Sequence, residues 1–395
     1  MAGGLLTVVI AGVASLFMAW AIGAGSSGST PFAPAVGANA LSVMRAGFLV
    51  GILGFLGAAL QGANVSQAVG RELIHGVQLS PLAATTGLLT AAILVAIGVF
   101  TGYPIATAFT VTGAIVGVGL ALGGTPAWPK YQQIVSLWIL TPFVGGGIAY
   151  TTARVLRRED VAERTSIPLL GALVGLIIAN VGFVFLGPPH QSASIAQSVA
   201  SHLSLPAVGG IDLGVVLASL VLAGLVAFAL RRELDVNLNR GQRRFLLALG
   251  GLVAFSAGGS QVGLAIGPLL PLLDPYSIPV VPVLVGGGLG LLAGSWTGAP
   301  RMIKALAQDY SALGPRRSIA ALIPAFAIAQ SAVFFGIPVS FNEIIVSTII
   351  GSGYAASGGG VSGKKMLYTI LAWVLSLALA LGVGYGAFSA VEAVF

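Results

Sequence analysis

A chain of 395 residues that is 56% hydrophobic and 7% charged lies far from the roughly 25% charged fraction of soluble domains, and its mean hydropathy of +1.00 belongs to an integral membrane protein. The net charge of +7 does not point to nucleic acid, because Arg and Lys stand in the connections between apolar runs, where the positive-inside bias accounts for them. With no cysteine, disulfides, thiol catalysis and thiolate metal sites are excluded; no nucleophile and base pair or paired carboxylates stand inside the apolar runs, which argues against a membrane enzyme.

Crossing a bilayer as helix takes about 20 apolar residues, and the chain offers roughly twelve such runs. They fall at 4–22, 41–61, 82–101, 104–122, 131–153, 166–188, 208–230, 244–266, 279–298, 318–336, 342–357 and 366–390. The first, Leu5 to Ile22, lacks a basic flank and reads as an uncleaved crossing rather than a signal peptide. Its polar continuation, Ala24 to Pro34 (AGSSGSTPFAP), has a counterpart in FSAGGSQVGLAIGP, and TGYPIATAF has one in FGIPVSFNE. Both pairs share one register: Ser26 precedes Ser260 by 234 residues, and Pro104 precedes Pro338 by the same 234. Paired polar interruptions in two halves of a membrane chain point to a transporter's binding site.

Four basic clusters fix the orientation: Arg154 to Arg164, Arg231 to Arg244, Arg301 to Arg317, and Lys364 with Lys365. Two crossings separate each from the next, so all lie on one side, which the positive-inside rule makes cytoplasmic. Both termini are then extracytoplasmic in a multi-pass cell-membrane protein. The register carries the first run onto the eighth, and an odd displacement turns the second copy upside down. The predicted class is an all-α polytopic membrane protein with two inverted-topology repeats and broken or re-entrant helices. Residues 1–153 form the first repeat, 154–243 a linking scaffold with two crossings, and 244–395 the second repeat.

Between Gly187 and Gly210 a Pro-, Ser- and Gln-rich stretch suits a solvated loop or a short surface helix, and its His190 and His202 are too isolated for a metal site. Asp212 reads as an interfacial cap in preference to a coupling group. Gly286, Gly290 and Gly294 have the spacing of close helix contact, within one chain in preference to between two. Trp and Tyr, several of them near run ends, read as interfacial anchors.

Irregular backbone is tolerated at membrane depth only where protein or a cavity encloses it. The interruptions supply Ser26, Ser27, Ser29, Thr30 and Thr107 from the first copy and Ser260, Gln261, Ser340 and Asn342 from the second, with Tyr103 and Thr110 nearby. Hydroxyls and freed N–H groups of this kind can replace the hydration shell of an oxyanion, especially at helix N-termini. The bland alternative is a set of ordinary turns. Glu343 stands at a repeat position between two apolar runs; buried, it would suit proton coupling, and at the surface it would have no role.

On these residues the chain resembles the inorganic phosphate transporter (PiT) family. Its signatures of the type GANDVANSFGTAVG and HGSNDVANAIGP correspond to AGSSGSTPFAPAVG and AGGSQVGLAIGP here, its later PVSTTH to PIATAF and PVSFNE, and its GANVTETIGKGI to GANVSQAVGRELI, Gly62 to Ile74. The resemblance implies a secondary transporter, usually dimeric, that moves phosphate, or in some members sulfate, with Na+ or H+ and no other cofactor. The family's Asn-Asp becomes Ser26-Ser27 in one half and Ser260-Gln261 in the other, so both signature aspartates are missing and sodium coupling does not carry over. Specificity between phosphate and sulfate needs acceptors for phosphate's protons, and Gln261, Asn342 and Glu343 are those available. The leading expectation is an oxyanion transporter working by alternating access, phosphate first and sulfate second. A passive anion channel or uniporter is the alternative.

Overall fold

A computed structural model describes residues 2–183, 185–187, 192–203, 205–308, 310, 313–355 and 363–394. The main helices are α1 (Ala2–Ile22), α2 (Val43–Gln61), α3 (Ala63–Arg71), α4 (Pro81–Thr101), α5 (Thr107–Ala121), α6 (Trp128–Val155), α7 (Glu163–Asn180), α8 (Leu213–Val236), α9 (Leu238–Ile266), α10 (Val280–Thr297), α11 (Ala299–Gln308), α12 (Pro315–Phe335), α13 (Phe341–Tyr354) and α14 (Gly363–Glu392). Backbone groups must be satisfied within the segment when lipid replaces water, which is why the apolar runs are helical. Strands are confined, among the described residues, to three two-residue pairs in connections.

Each of the twelve apolar runs falls on a helix, but nine helices among the described residues are long and apolar enough to cross a membrane. Runs 104–122, 166–188 and 342–357 are the three that do not qualify: α7 on the second of them has 18 residues and begins with Glu163 and Arg164, whereas the other two are short. Helix α5 has 15 residues and α13 has 14, about 22 Å and 21 Å at 1.5 Å per residue, against a hydrocarbon core of about 30 Å. Each follows its partner through a glycine in the left-handed region, Gly102 at φ 76° and Gly336 at φ 61°, and packs back on it, giving the hairpins α4–α5 and α12–α13. Ile74–His75 pairs antiparallel with Thr125–Pro126 at the open end of the first. Counting either hairpin as two crossings or none leaves the parity of the basic clusters unchanged.

Contacts between the halves are reciprocal. Helix α1 packs on α10 while α9 packs on α2, and α5 packs on α14 while α13 packs on α6. Glycines allow these approaches: an added Cβ would lie 2.1 Å from Leu291 O at Gly23, 1.8 Å from Phe255 O at Gly57 and 1.8 Å from Gly54 O at Gly258. Gly290 and Gly294 serve the same end inside the chain, against Ala19 and Trp20 of α1, whereas Gly286 faces open space. Helices α7 and α8 form a separate antiparallel pair, crossed by an Asn180 to Ser219 hydrogen bond of 3.0 Å.

The first polar stretch is a wide π turn, Gly23–Ser27, continuing α1. Its counterpart differs from expectation: α9 runs unbroken through Ser260 and Gln261 to Ile266, and only Gly267–Leu269 departs from it as a 3-10 turn. Gly258 and Gly263 there are needed for contact with α2 and α3, not for unwinding. Asp212 caps α8, accepting from Gly214 N and Val215 N. The loop before it holds a short helix, Ile195–Ala200, with a capping box on Ser194. His202 hydrogen-bonds Ser198 O, and His190 lies outside the described residues.

Candidate anion site

Four segments far apart in sequence meet at the tips of the two hairpins. Gln261 on α9 is the hub: its Oε1 accepts from Thr107 Oγ1 at 2.8 Å and from Ser26 Oγ at 3.1 Å, and its Nε2 donates to Val339 O at 2.6 Å. Thr107 Oγ1 also lies 3.3 Å from Ser26 Oγ. Asn342, in the first turn of α13, donates through Nδ2 to Gly25 O at 2.9 Å and Ile105 O at 2.7 Å. The π turn of α1, both hairpin tips and α9 are thus tied together by two carboxamides. Ser26, Thr107, Ser260, Gln261, Ser340 and Asn342 are fully buried, and Ser27 is buried beside them.

The first helical turns of α5 and α13 also open on this centre. Neither Ala106 nor Ser340, the residues before them, caps the helix through a side chain, so first-turn N–H groups and the positive ends of two helix dipoles face it. Four buried side-chain atoms here have no hydrogen-bond partner: Ser260 Oγ, Ser340 Oγ, Asn342 Oδ1 and Glu343 Oε2. Buried polar atoms in proteins are paired almost without exception, and Thr112 Oγ1, Tyr131 OH and Thr141 Oγ1 are the other exceptions among the described residues. Orphans from α9 and from the uncapped start of α13 mark a place where a polar ligand completes the structure.

Ser29 and Thr30 reach the same region, but their hydroxyls turn back onto Ser26 O at 3.1 and 3.0 Å, where they brace the π turn. Thr110 likewise bonds Ala106 O within α5, and Tyr103 is exposed at the hairpin tip. Glu343 is 2% exposed, which removes the surface reading. It borders a cavity of 730 Å³ walled chiefly by apolar side chains of α6, α13 and α14, among them Trp138 and Trp373.

Sequence reasoning missed those two tryptophans. Trp138 Nε1 donates to Pro338 O at 2.9 Å and Trp373 Nε1 to Pro104 O at 2.8 Å, each holding the hairpin tip of the opposite half. Their separation is one residue longer than the shared register, which hid the correspondence. It also missed the backbone carbonyls of Gly25, Ile105 and Val339, which have no residue-type signature.

This architecture is that of a polytopic membrane transporter. A solved structure titled the sodium-dependent phosphate transporter has the same fold, with a TM-score of 0.82 over 99% of this chain and 100% of that one at 22% identity. A model of the Phosphate transporter family matches residues 22–384, and the chain belongs to that family. Among its relatives, a protein of Pyrococcus abyssi named as a phosphate permease is 27% identical over 95% of each chain. The chloroplastic inorganic phosphate transporter 2-1 of Arabidopsis thaliana is 25% identical over 91% of this chain and 68% of its own.

Proposed function

We propose that this protein moves inorganic phosphate across the membrane by alternating access, with Ser26, Ser27, Thr107, Ser260, Gln261, Ser340 and Asn342 around the anion and Ser29 and Thr30 bracing the turn that presents Ser26. The observation that carries this reading is the set of buried, unpartnered polar atoms at the meeting point of two helix N-termini. Ser260 and Ser340 hydroxyls can donate to anionic oxygens. Asn342 can only accept on its free side, because its N–H groups are committed to Gly25 O and Ile105 O. An acceptor fixed in this way matches a P–OH group, which sulfate lacks at neutral pH, and favours phosphate. The names borne by the family's members agree with it.

In this proposal residues 1–153 and 244–395 are the inverted repeats, 154–243 is scaffold, the basic clusters face the cytoplasm and both termini face outward. Glu343 couples transport to proton movement from its place beside the anion centre. Reconstituted protein is expected to accumulate labelled phosphate against its gradient and to prefer it to sulfate. Downhill movement alone would identify a channel or uniporter instead, and movement of neither anion would overturn the reading. Joint alanine substitution of Ser26, Ser27, Ser260 and Gln261 is expected to reduce uptake to background while the protein still inserts and purifies; unchanged uptake would relocate the site. Glu343→Gln is expected to flatten the pH dependence of uptake, and a profile identical to the parent would deny it the coupling role.

A further inference from the structure

We propose that this transporter works without sodium, because the carboxamides of Gln261 and Asn342 supply from within the protein the carbonyl-bridging contacts that a bound cation would otherwise make. The inference rests on reading the meeting point of α1, α9 and the two hairpins as the transport site.

Interrupting a helix in a dry interior frees backbone carbonyls, and each bare carbonyl carries a desolvation cost of about 1–3 kcal/mol. Water, a cation or an N–H group can cover them. In this chain N–H groups do so at all three places where the interruptions meet. Asn342 Nδ2 spans Gly25 O of the π turn and Ile105 O of the first hairpin, and Gln261 Nε2 covers Val339 O of the second. Turned round, Gln261 would set its oxygen against Val339 O and Asn342 against Gly25 O and Ile105 O, arrangements that only a bound cation would hold.

A sodium ion would have to displace these N–H groups, and apart from the phosphate itself it would find neither signature carboxylate to offset its charge. The signature aspartate positions are Ser27 and Gln261 in this chain. Glu343, the one carboxylate at a hairpin tip, borders the apolar cavity of Trp138 and Trp373. Desolvating a cation without a carboxylate among its ligands is costly, whereas an amide presents its positive end at no net charge. The residues present therefore do not fit a coupling sodium.

Phosphate uptake by the reconstituted protein is expected to be equal in sodium chloride and in choline chloride of the same ionic strength. A linked cation at about 100 times its dissociation constant would instead raise phosphate affinity up to roughly a hundredfold. Uptake that disappears in choline would overturn this inference and leave the proposed function standing, whereas absence of uptake in both salts would count against the function. A second measurement decides the inference even then: the melting temperature of the purified protein is expected to be the same in both salts, and a sodium-specific rise would overturn it. Asn342→Asp, nearly isosteric, sets a carboxylate against Gly25 O and Ile105 O and is expected to create a sodium-dependent rise in melting temperature that the parent lacks. Gln261→Glu, against Val339 O, gives the same readout should Asn342→Asp fail to accumulate. Indifference of the folded variants to sodium would show that the amides do not stand in for a cation.

Discussion

Alanine at Gly258 is expected to cost the protein both its folded yield and its transport. The new Cβ would sit 1.8 Å from Gly54 O and 2.6 Å from the carbon behind it, inside the van der Waals boundary of a backbone that has no rotamer to change. Helices α9 and α2 must then separate, and overpacking of this kind costs about 1–3 kcal/mol or more. The displacement falls two residues before Ser260, so the hub at Gln261 is carried away from Thr107 and Val339 as well. Gly147→Ala, in α6, is the control: nothing lies within 4 Å of its Cβ, and exchange of an unconstrained helical glycine for alanine is neutral to stabilising by up to about 1 kcal/mol. Melting temperature and uptake measured on both variants check this. Equal stability of the Gly258 variant and the parent would mean that α2 and α9 are not in direct backbone contact.

Gln261→Leu should have the next largest effect, reducing uptake to background with a smaller loss of stability. Leucine fills nearly the same volume but leaves Ser26 Oγ, Thr107 Oγ1 and Val339 O without their shared partner. Each unsatisfied buried group costs about 1–3 kcal/mol, part of which the two hydroxyls recover by bonding one another across their 3.3 Å separation. The second hairpin tip loses its tie to α9, and Ser340 and Asn342 lose their fixed position. Asn342→Leu should fail in the same way if both amides hold one site. Retained uptake in the Gln261 variant would show that the contact is packing alone.

The helical class and the place of every long apolar run were legible because the bilayer leaves the backbone no other choice. The shortness of α5 and α13 was not: apolar residues continue to Leu122 and beyond Ile350, and hydrophobicity does not distinguish a lipid face from burial among other helices. Register singled out Ser26, Thr107, Gln261 and Asn342, which the structure brings together, because prolines and glycines recur around them at one spacing. It overstated the unwinding at Ser260, where the same glycines serve helix contact. Ser29 and Thr30 share the segment of Ser26, but their back-bonding to Ser26 O depends on a π turn that residue types do not announce. Glu343 could be placed at a repeat position from sequence, but its burial depends on helices contributed by both halves.

The exchanged tryptophans bear on how such a molecule can move. Trp138 travels with α6 yet grips the tip that opens α13, and Trp373 travels with α14 yet grips the tip that opens α5. Prising the amino-terminal half from the carboxy-terminal half would tear both grips at once. Rocking that keeps each tip with its borrowed indole breaks neither, so under the proposed alternating access the rigid bodies would be hybrids, each assembled from pieces of both halves of the chain.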